Sequence, residues 1–238
     1  MSPADNSQAA SKNTLFVTGT DTSVGKTHFC ALFLAFLKER GIDAGYQKWV
    51  SAGGEPPPDL AHVMQTAGMT PDSAELDLQV PFRFSFPASP HLAAEMEWRE
   101  VDPDVIIKRF HEMSQKHKIL IIEGVGGLLV PLRRDLLLAD LLAGLKPPTL
   151  IVARSGLGTL NHTLLTLEVM RNRGIPISGI VFSDTTEDED PDLIRDNMRT
   201  IAEMGRITVF GRMERFCDPD EAKAAFSLIG EAVLKEMR

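Results

Sequence analysis

Short apolar segments alternate with amphipathic segments along most of the chain, and this alternation predicts parallel strands joined by helices. Strands are predicted at residues 15–18, 43–49, 118–122, 149–153, 177–182 and 207–210. Helices are predicted at residues 27–40, 103–117, 159–173 and 219–237. The unbroken apolar run KILII at 118–122 is typical of a central strand that is covered on both faces. The pattern therefore predicts an α/β fold with a mostly parallel central sheet and helices on both faces.

Length, composition and charge narrow the class of protein further. The chain has 238 residues, 43% of them hydrophobic and 24% charged, as expected for one folded domain. We expect that domain at residues 13–238, after a disordered polar tail at 1–12 that lacks the apolar segment of a signal peptide. The apolar run at 29–37 is too short to cross a membrane, so we expect a cytoplasmic protein. A net charge of −8 argues against nucleic acid or a membrane as a partner.

The segment GTDTSVGKT at residues 19–27 is the strongest chemical signal in the chain. It follows a predicted strand and opens a predicted helix, which is the context of a phosphate-binding P-loop. Backbone N–H groups of such a loop surround phosphate oxygens, while Lys26 would neutralise phosphate charge and Thr27 would ligate Mg²⁺. Five residues separate the two glycines, one more than in the strict motif. The alternative is a glycine turn beside a solvated lysine.

Phosphoryl chemistry also needs carboxylates that can hold a metal ion. Glu123 directly follows the predicted strand at 118–122 and precedes three glycines within GVGG, so we expect it at the strand end as a metal ligand. The alternative for Glu123 is a solvated edge charge. Asp59 follows three prolines and is a weaker candidate, because an aspartate there is also an ordinary helix N-cap.

Several motifs together resemble the dethiobiotin synthetase family. They occur in order along the chain: VTGTDT and VGKT within residues 17–27, GYQK at 45–48, ASPH at 88–91, EGVGG at 123–127 and GLGTLNHTLLT at 156–166. The resemblance implies a single-domain P-loop fold and a homodimer with the active site at its interface. It also implies that 7,8-diaminononanoate, CO₂ and MgATP give dethiobiotin, ADP and phosphate, through a carbamate and a carbamic–phosphoric anhydride.

The resemblance also implies roles for individual residues, and one residue can have several. Catalysis is expected of Lys26, Lys48 and Thr22. Mg²⁺ is expected at Thr27, Asp59 and Glu123. Nucleotide contacts are expected from Asp21, Thr22, Ser23, Val24, Gly25, Lys26, Thr27, His28, Glu123, Ser183 and Gly211. Substrate contacts are expected from Lys48, Ala52, Ser89, Pro90, Gly158, Thr159, Leu160 and Asn161, the last four acting on the substrate carboxylate across the dimer interface.

The chain departs from the family pattern at four positions. Trp49 replaces the proline that usually follows the lysine, and Ala52 stands where a hydroxyl often contacts the substrate. Ser183 stands where an asparagine usually reads adenine, and the turn at Gly211 lacks its usual proline. ATP is the expected co-substrate, and another nucleoside triphosphate is an alternative.

Three other interpretations are alternatives to an enzyme of this family. Partition or septum-positioning ATPases carry a lysine early in the loop, where this chain has Asp21 and Thr22. Related cyclases or amidating synthases need a glutaminase domain, for which we expect no room in 238 residues. A non-catalytic nucleotide-binding homologue is suggested by Trp49 and Ala52, but the intact P-loop lysine argues against it.

Overall fold

The computed structural model describes residues 13–184 and 189–237. The strands are β1 (Thr14–Gly19), β2 (Ala44–Lys48), β3 (Val50–Ala52), β4 (Phe82–Phe84), β5 (Ile119–Gly127), β6 (Pro131–Arg133), β7 (Leu136–Leu137), β8 (Thr149–Arg154), β9 (Ile177–Ser183) and β10 (Val209–Met213). The helices are α1 (Lys26–Glu39), α2 (Pro58–Thr66), α3 (Leu76–Gln79), α4 (Pro90–Met96), α5 (Pro103–Lys116), α6 (Leu138–Leu145), α7 (Thr159–Asn172), α8 (Pro191–Gly205) and α9 (Pro219–Glu236). The expected tail at 1–12 lies outside the described residues.

The central sheet has six parallel strands in the order β10–β9–β8–β1–β5–β2. One face is covered by α1, α2 and α9, and the other by α5, α6, α7 and α8, so each face has its own buried apolar layer. This confirms the predicted α/β class with helices on both faces. Because every strand runs the same way, their carboxyl ends form one edge of the sheet, where ligands of such folds bind.

The chain reverses from β1 into α1 through glycines in positions that exclude a side chain. Gly25 precedes α1 with a φ of 99°, in the left-handed region that glycine adopts without strain. Ten residues of α1 are buried, which accounts for its nearly continuous apolar sequence. Gly41, the predicted cap residue after this helix, also has a positive φ of 68°.

Two predicted strands have different bounds in the structure. The strand predicted at 118–122 continues to Gly127, because β1 keeps pairing with β5 as far as Gly19 opposite Gly127. The last strand lies at Val209–Met213 rather than at 207–210, and it pairs with β9 up to Ser183. The expectation that Glu123 ends its strand is therefore wrong, since Glu123 lies inside β5.

Short elements between the predicted ones add two small sheets. β3 pairs with β4 in parallel, and β6 pairs with β7 in an antiparallel hairpin. The proline-rich stretch at 51–90, which showed no regular pattern, contains β3, β4, α2 and α3. Within the part of the chain that the structure describes, no helix is both long and apolar enough to span a membrane.

Candidate functional site

Hydrogen bonds within the loop between β1 and α1 stabilise its conformation. The backbone N–H of Thr22 donates to Oδ1 of Asp21 at 2.7 Å, and Nζ of Lys26 donates to the carbonyl oxygen of Asp21 at 2.8 Å. A methyl group on Gly25 would lie 2.4 Å from Oγ of Ser183, so the loop rests directly on the end of β9. The loop thus has the strand, glycines and buried lysine of a phosphate-binding P-loop.

Lys48, Asp59, Glu123 and Thr27 meet beside this loop. Nζ of Lys48 lies 2.6 Å from Oε1 of Glu123 and 2.7 Å from Oδ2 of Asp59. Oγ1 of Thr27 donates to Oε1 of Glu123 at 2.8 Å and lies 3.2 Å from Oδ1 of Asp59. The Lys48 ammonium therefore bridges two carboxylates that share a hydroxyl neighbour. We refer to these four residues as the carboxylate cluster.

Four elements, β2, β5, α1 and α2, supply the side chains of the carboxylate cluster. Lys48 and Glu123 are direct register partners in β2 and β5, so their side chains leave the sheet on the same face. Thr27 is the second residue of α1, which starts on that face. Asp59 lies in the first turn of α2, whose N-cap is Pro57 rather than Asp59. The alternative interpretation of Asp59 as an N-cap is thus wrong, and its carboxylate instead contacts Lys48 and Thr27.

Tyr46 completes the arrangement from below. Its hydroxyl donates to Oε2 of Glu123 at 2.7 Å, and neither side chain is exposed to solvent. Tyr46 and Lys48 are two residues apart in β2, so both face the same side of the sheet. Period-two alternation from Lys48 could have revealed Tyr46, but the sequence pattern alone gave Tyr46 no chemical role.

The two lysines of the site are buried in different electrostatic surroundings. Burial, followed by repulsion from Lys48, lowers the pKa of Lys26 to about 8. Burial alone would also lower the pKa of Lys48, but the Glu123 and Asp59 carboxylates outweigh that effect and raise the pKa above its ordinary value. Lys26 has a carbonyl oxygen as its hydrogen-bond partner, so its charge is available to an anionic ligand.

These groups line one end of a cavity of about 860 Å³, within the usual size range of small-molecule sites. The residues that were predicted from the sequence and line this cavity are Thr22, Ser23, Gly25, Lys26, Thr27, His28, Lys48, Ala52, Asp59, Ser89, Pro90 and Glu123. Sequence reasoning missed the lining residues Val50, Pro58, His62, Pro87, Ala88, Val125, Gly126 and Val130. His62 lies beside His28, and burial, followed by His62, lowers the pKa of His28.

Several predicted site residues lie outside this cavity. Val24 is buried beneath the loop, and Asp21 lines a separate cavity of about 290 Å³ on its far side. Ser183 is buried against Gly25, and Gly211 lies in β10 where a side chain would meet Ile229. The residues Gly158, Thr159, Leu160 and Asn161 form the cap and first turn of α7 without lining the cavity of their own chain.

The departures at Trp49 and Ala52 have different consequences. Trp49 is buried in the opposite apolar layer, where its ring lies 4.9 Å from that of Phe16 and its Nε1 donates to Oε1 of Gln47. Its side chain therefore does not enter the cavity. Ala52 does line the cavity, and its methyl group offers no hydrogen bond there.

The donor set of the carboxylate cluster suits a hard divalent cation. Two carboxylates and a threonine hydroxyl are oxygen ligands of the kind that Mg²⁺ takes in phosphoryl-transfer sites. Within residues 13–184 and 189–237, no group of three or more His, Cys, Asp or Glu side chains is placed to hold a metal by itself. A cation at this position would therefore depend on Thr27 and on the phosphates of a bound nucleotide.

Comparison with known proteins gives the family. A family model described as an AAA domain matches residues 13–220. A protein of Methanococcus vannielii named ATP-dependent dethiobiotin synthetase BioD is 36% identical over 83% of this chain and 91% of its own length. Proteins of the same name are 37% identical in Rhodopseudomonas palustris (90% of this chain, 92% of the relative) and 39% in Anaeromyxobacter dehalogenans strain 2CP-C (82% and 85%). The chain belongs to the ATP-dependent dethiobiotin synthetase family. It is accordingly an enzyme of the ligase class.

Solved structures with the same fold include two ATPases. The Pyrococcus furiosus cell division ATPase MinD has a TM-score of 0.58 at 13% identity, covering 94% of this chain and 99% of that one. A ParA family ATPase from Chlorobium tepidum has a TM-score of 0.53 at 16% identity, covering 94% and 92%. At such identities the likeness shows the fold alone. The dethiobiotin synthetase family thus shares its architecture with these ATPases.

Proposed function

We propose that this enzyme joins CO₂ to 7,8-diaminononanoate and closes the product to dethiobiotin, with ATP converted to ADP and phosphate. One amine takes up CO₂ as a carbamate and releases a proton. A carbamate oxygen then attacks the γ-phosphate and ADP leaves, which forms a carbamic–phosphoric anhydride. The second amine attacks the carbonyl carbon and expels phosphate. Each step moves or spreads negative charge, so positioned cations and N–H groups are the main catalytic requirement.

The observation that carries this proposal is the convergence of two lysines on one cavity beside the P-loop. Lys26 would counter the charge of the transferring phosphoryl group, and Lys48 would counter that of the carbamate. Thr22 would donate a hydrogen bond near both. The cavity continues past Lys48 to Ala52, Ser89 and Pro90, which leaves room for the apolar diamine chain.

The residues of the carboxylate cluster fit a metal-nucleotide complex. Thr27, Asp59 and Glu123 would hold Mg²⁺. The two carboxylates already contact one cation, the Lys48 ammonium, and the Thr27 hydroxyl lies within hydrogen-bond distance of both. A bound Mg²⁺ would supply charge neutralisation to the β- and γ-phosphate oxygens. Lys48 would leave its carboxylates and turn toward the carbamate.

The carboxylate of the substrate would bind at the start of α7 of a second copy. The turn at residues 158–161 presents backbone N–H groups at a helix N-terminus, a favourable site for an anion. The apolar side chains of Leu129, Leu157 and Leu165 are exposed in the same region, and a second copy would cover them in a homodimer. A cytoplasmic location is part of the same proposal.

The experiment that tests the function is phosphate release by the purified protein with diaminononanoate, bicarbonate and Mg²⁺. We expect release that depends on the diamine with ATP, and a panel of nucleoside triphosphates measures what Ser183 and the turn at Gly211 change. Absence of diamine-dependent release with every nucleotide would contradict the enzyme proposal and favour a non-catalytic nucleotide-binding protein. Release that is independent of the diamine would favour an ATPase switch.

A further inference from the structure

Tyr46 is the only tyrosine in the sequence, and the function proposed above does not use it. The side chain is fully buried among the apolar residues beneath α1. Its hydroxyl donates a hydrogen bond to the Oε2 atom of the equally buried Glu123, at 2.7 Å. A buried phenol usually has a hydrogen-bond partner. Here that partner is a carboxylate of the candidate metal site, so the hydrogen bond can influence the metal ligand.

The two oxygens of Glu123 have separate partners. Oε2 accepts the hydrogen bond from Tyr46, whereas Oε1 accepts from Thr27 at 2.8 Å and from Lys48 at 2.6 Å. Oε1 is therefore the oxygen directed toward the cavity, and Oε2 is directed into the core. Rotation of the carboxylate about its last bond would break the Tyr46 contact.

The neighbouring strands fix the position of the Glu123 backbone on both sides. β5 lies between β1 and β2, and Glu123 is paired in register with Val17 on one side and Lys48 on the other. Tyr46 is held by the same ladder, opposite Ile121. A hydrogen bond between β5 and the neighbouring edge strand β2 is thus available to fix the carboxylate orientation, in the way that outer hydrogen bonds fix metal ligands in proteins.

We propose that Tyr46 is a positioning residue that holds Oε2 of Glu123 and thereby keeps Oε1 directed at the place between Thr27 and Asp59 where Mg²⁺ enters. The proposal rests on the metal site of the proposed function. The Lys48 ammonium also lies beside Oε1. With the carboxylate fixed by Tyr46, Lys48 is the group that moves when Mg²⁺ binds.

Replacement of Tyr46 by phenylalanine removes one oxygen and leaves the ring in place. Oε2 of Glu123 then has no hydroxyl donor in a buried position, and the carboxylate turns toward Thr27 and Lys48 with both oxygens. Loss of such an outer hydrogen bond typically lowers metal affinity 10–100-fold. We expect the Mg²⁺ concentration for half-maximal phosphate release to rise at least about tenfold in Y46F, with less than about threefold change in kcat at saturating Mg²⁺.

The control is Trp49→Phe, which removes the indole N–H, another buried aromatic hydrogen-bond donor of the same segment. Nε1 of Trp49 donates to Gln47 and not to a residue of the carboxylate cluster. We expect W49F to lose stability but to keep the wild-type Mg²⁺ dependence. An Mg²⁺ dependence in folded Y46F equal to that of wild type would overturn the proposal, as would an equal shift in W49F.

A second measurement uses the wild-type chain and does not require turnover. Because the chain has one tyrosine, tyrosine labelled with ¹³C at the ring Cζ atom alone gives a single signal, which reports on the Tyr46 phenol directly. We expect this signal to shift when Mg²⁺ is added to the full-length protein saturated with a non-hydrolysable ATP analogue, and not when Mg²⁺ is added to Glu123→Gln. A wild-type signal that ignores Mg²⁺ would overturn the positioning role. This measurement needs no diamine. Its result therefore tests the role of Tyr46 even if the enzyme does not catalyse the proposed reaction.

Discussion

Lys26 and Lys48 are both buried, yet their surroundings give them opposite properties. Lys48 is held between two carboxylates that raise its pKa, so it stays charged throughout the neutral range. Lys26 has no carboxylate partner within hydrogen-bond distance among the described contacts, and burial lowers its pKa to about 8. Lys48 is therefore a resident counter-ion of the metal ligands, and Lys26 is a cation available to phosphate.

The lowered pKa of Lys26 predicts a pH-dependent affinity for nucleotide. Lys26 is charged below pH 8 and loses its proton as the pH rises through about 8, so its attraction to phosphate declines on the alkaline side. We expect the Kd for a non-hydrolysable ATP analogue, measured by calorimetry, to rise by up to about tenfold per pH unit between pH 8 and 9.5. Lys26→Met should bind weakly with no such slope. A wild-type Kd that is constant up to pH 9.5 would refute this account of Lys26.

Removal of Lys48 leaves the buried Glu123 carboxylate opposite Asp59 without a cation. We expect Lys48→Met to lower the free energy of unfolding of the protein without metal by about 3 kcal/mol, equivalent to about 10 °C in Tm. Addition of Mg²⁺ should recover part of that loss, because the ion replaces the missing charge. Thermal denaturation with and without Mg²⁺ measures both effects.

The matched control for Lys48 is Lys38→Met. The Lys38 ammonium donates to the carbonyl oxygens of Ala67 and Gly68 at the surface. Its removal should change Tm little and give no dependence on Mg²⁺. Equal Mg²⁺ responses in the two variants would show that Lys48 is not the counter-ion of the metal ligands.

The sequence predicted most of the charged groups of the site but not their connections. Lys26, Thr27, Lys48 and Glu123 lie in motifs, whereas Asp59 was the weaker candidate after three prolines. The structure brings all five to one cavity. Sequence reasoning did not detect the Tyr46 hydrogen bond, because a tyrosine in an apolar strand is ordinary core. Sequence reasoning also did not place the side chain of Trp49, because its position depends on the path of the chain between β2 and β3.

At the scale of elements, long apolar runs were predicted well and short ones were not. β1, β2, β8 and β9 and the helices α1, α5, α7 and α9 lie within a few residues of their predicted bounds. The glycines after Glu123 concealed the continuation of β5, since glycine weakens a strand pattern even where the ladder persists. Two- and three-residue strands such as β7 and β3 depend on tertiary pairing, which no local pattern reports.

The junction of the P-loop with β9 is a close contact between two elements. Gly25 has a positive φ and no space for a methyl group beside Ser183. We expect Gly25→Ala to weaken binding of the ATP analogue at least about tenfold, since an L residue is strained at this φ and the loop would shift. Calorimetric titration measures the loss.

Two further variants separate the contact from the backbone strain. Ser183→Gly combined with Gly25→Ala should recover part of the affinity, because it removes the atoms that the methyl group meets. Gly144→Ala, where an added methyl group meets nothing within 4 Å, should bind as wild type does. An unchanged affinity in Gly25→Ala alone would show that the loop does not depend on this contact.

At the scale of the whole molecule, the fold is shared more widely than the sequence. MinD and ParA ATPases share the architecture at 11–16% identity, whereas the dethiobiotin synthetases share 36–40% identity over most of the chain. The loop residues agree with the second group, since Asp21 and Thr22 stand where the ATPase switches carry a lysine. Residues 13–238 as one domain, and the absence of nucleic acid and membrane partners, stay predictions.

The proposed homodimer concerns the whole molecule, and a substitution at one exposed residue can test it. Leu165 on α7 is 56% exposed and lies in the region that would be covered by a second copy. We expect Leu165→Asp to convert the protein to a monomer in light scattering and to raise the KM for diaminononanoate. Leu228→Asp, at an 82% exposed leucine on α9, should leave both unchanged. A dimer that survives Leu165→Asp would contradict the assigned interface.

The most direct test of the central claim follows the carbon atom of CO₂. The purified protein is supplied with ¹³C-bicarbonate, diaminononanoate and MgATP, and the products are analysed by mass spectrometry together with released phosphate. The account predicts dethiobiotin that carries one ¹³C atom in its urea carbon, with one phosphate released for each molecule formed. Phosphate release without labelled product, or no diamine-dependent reaction at all, would contradict it.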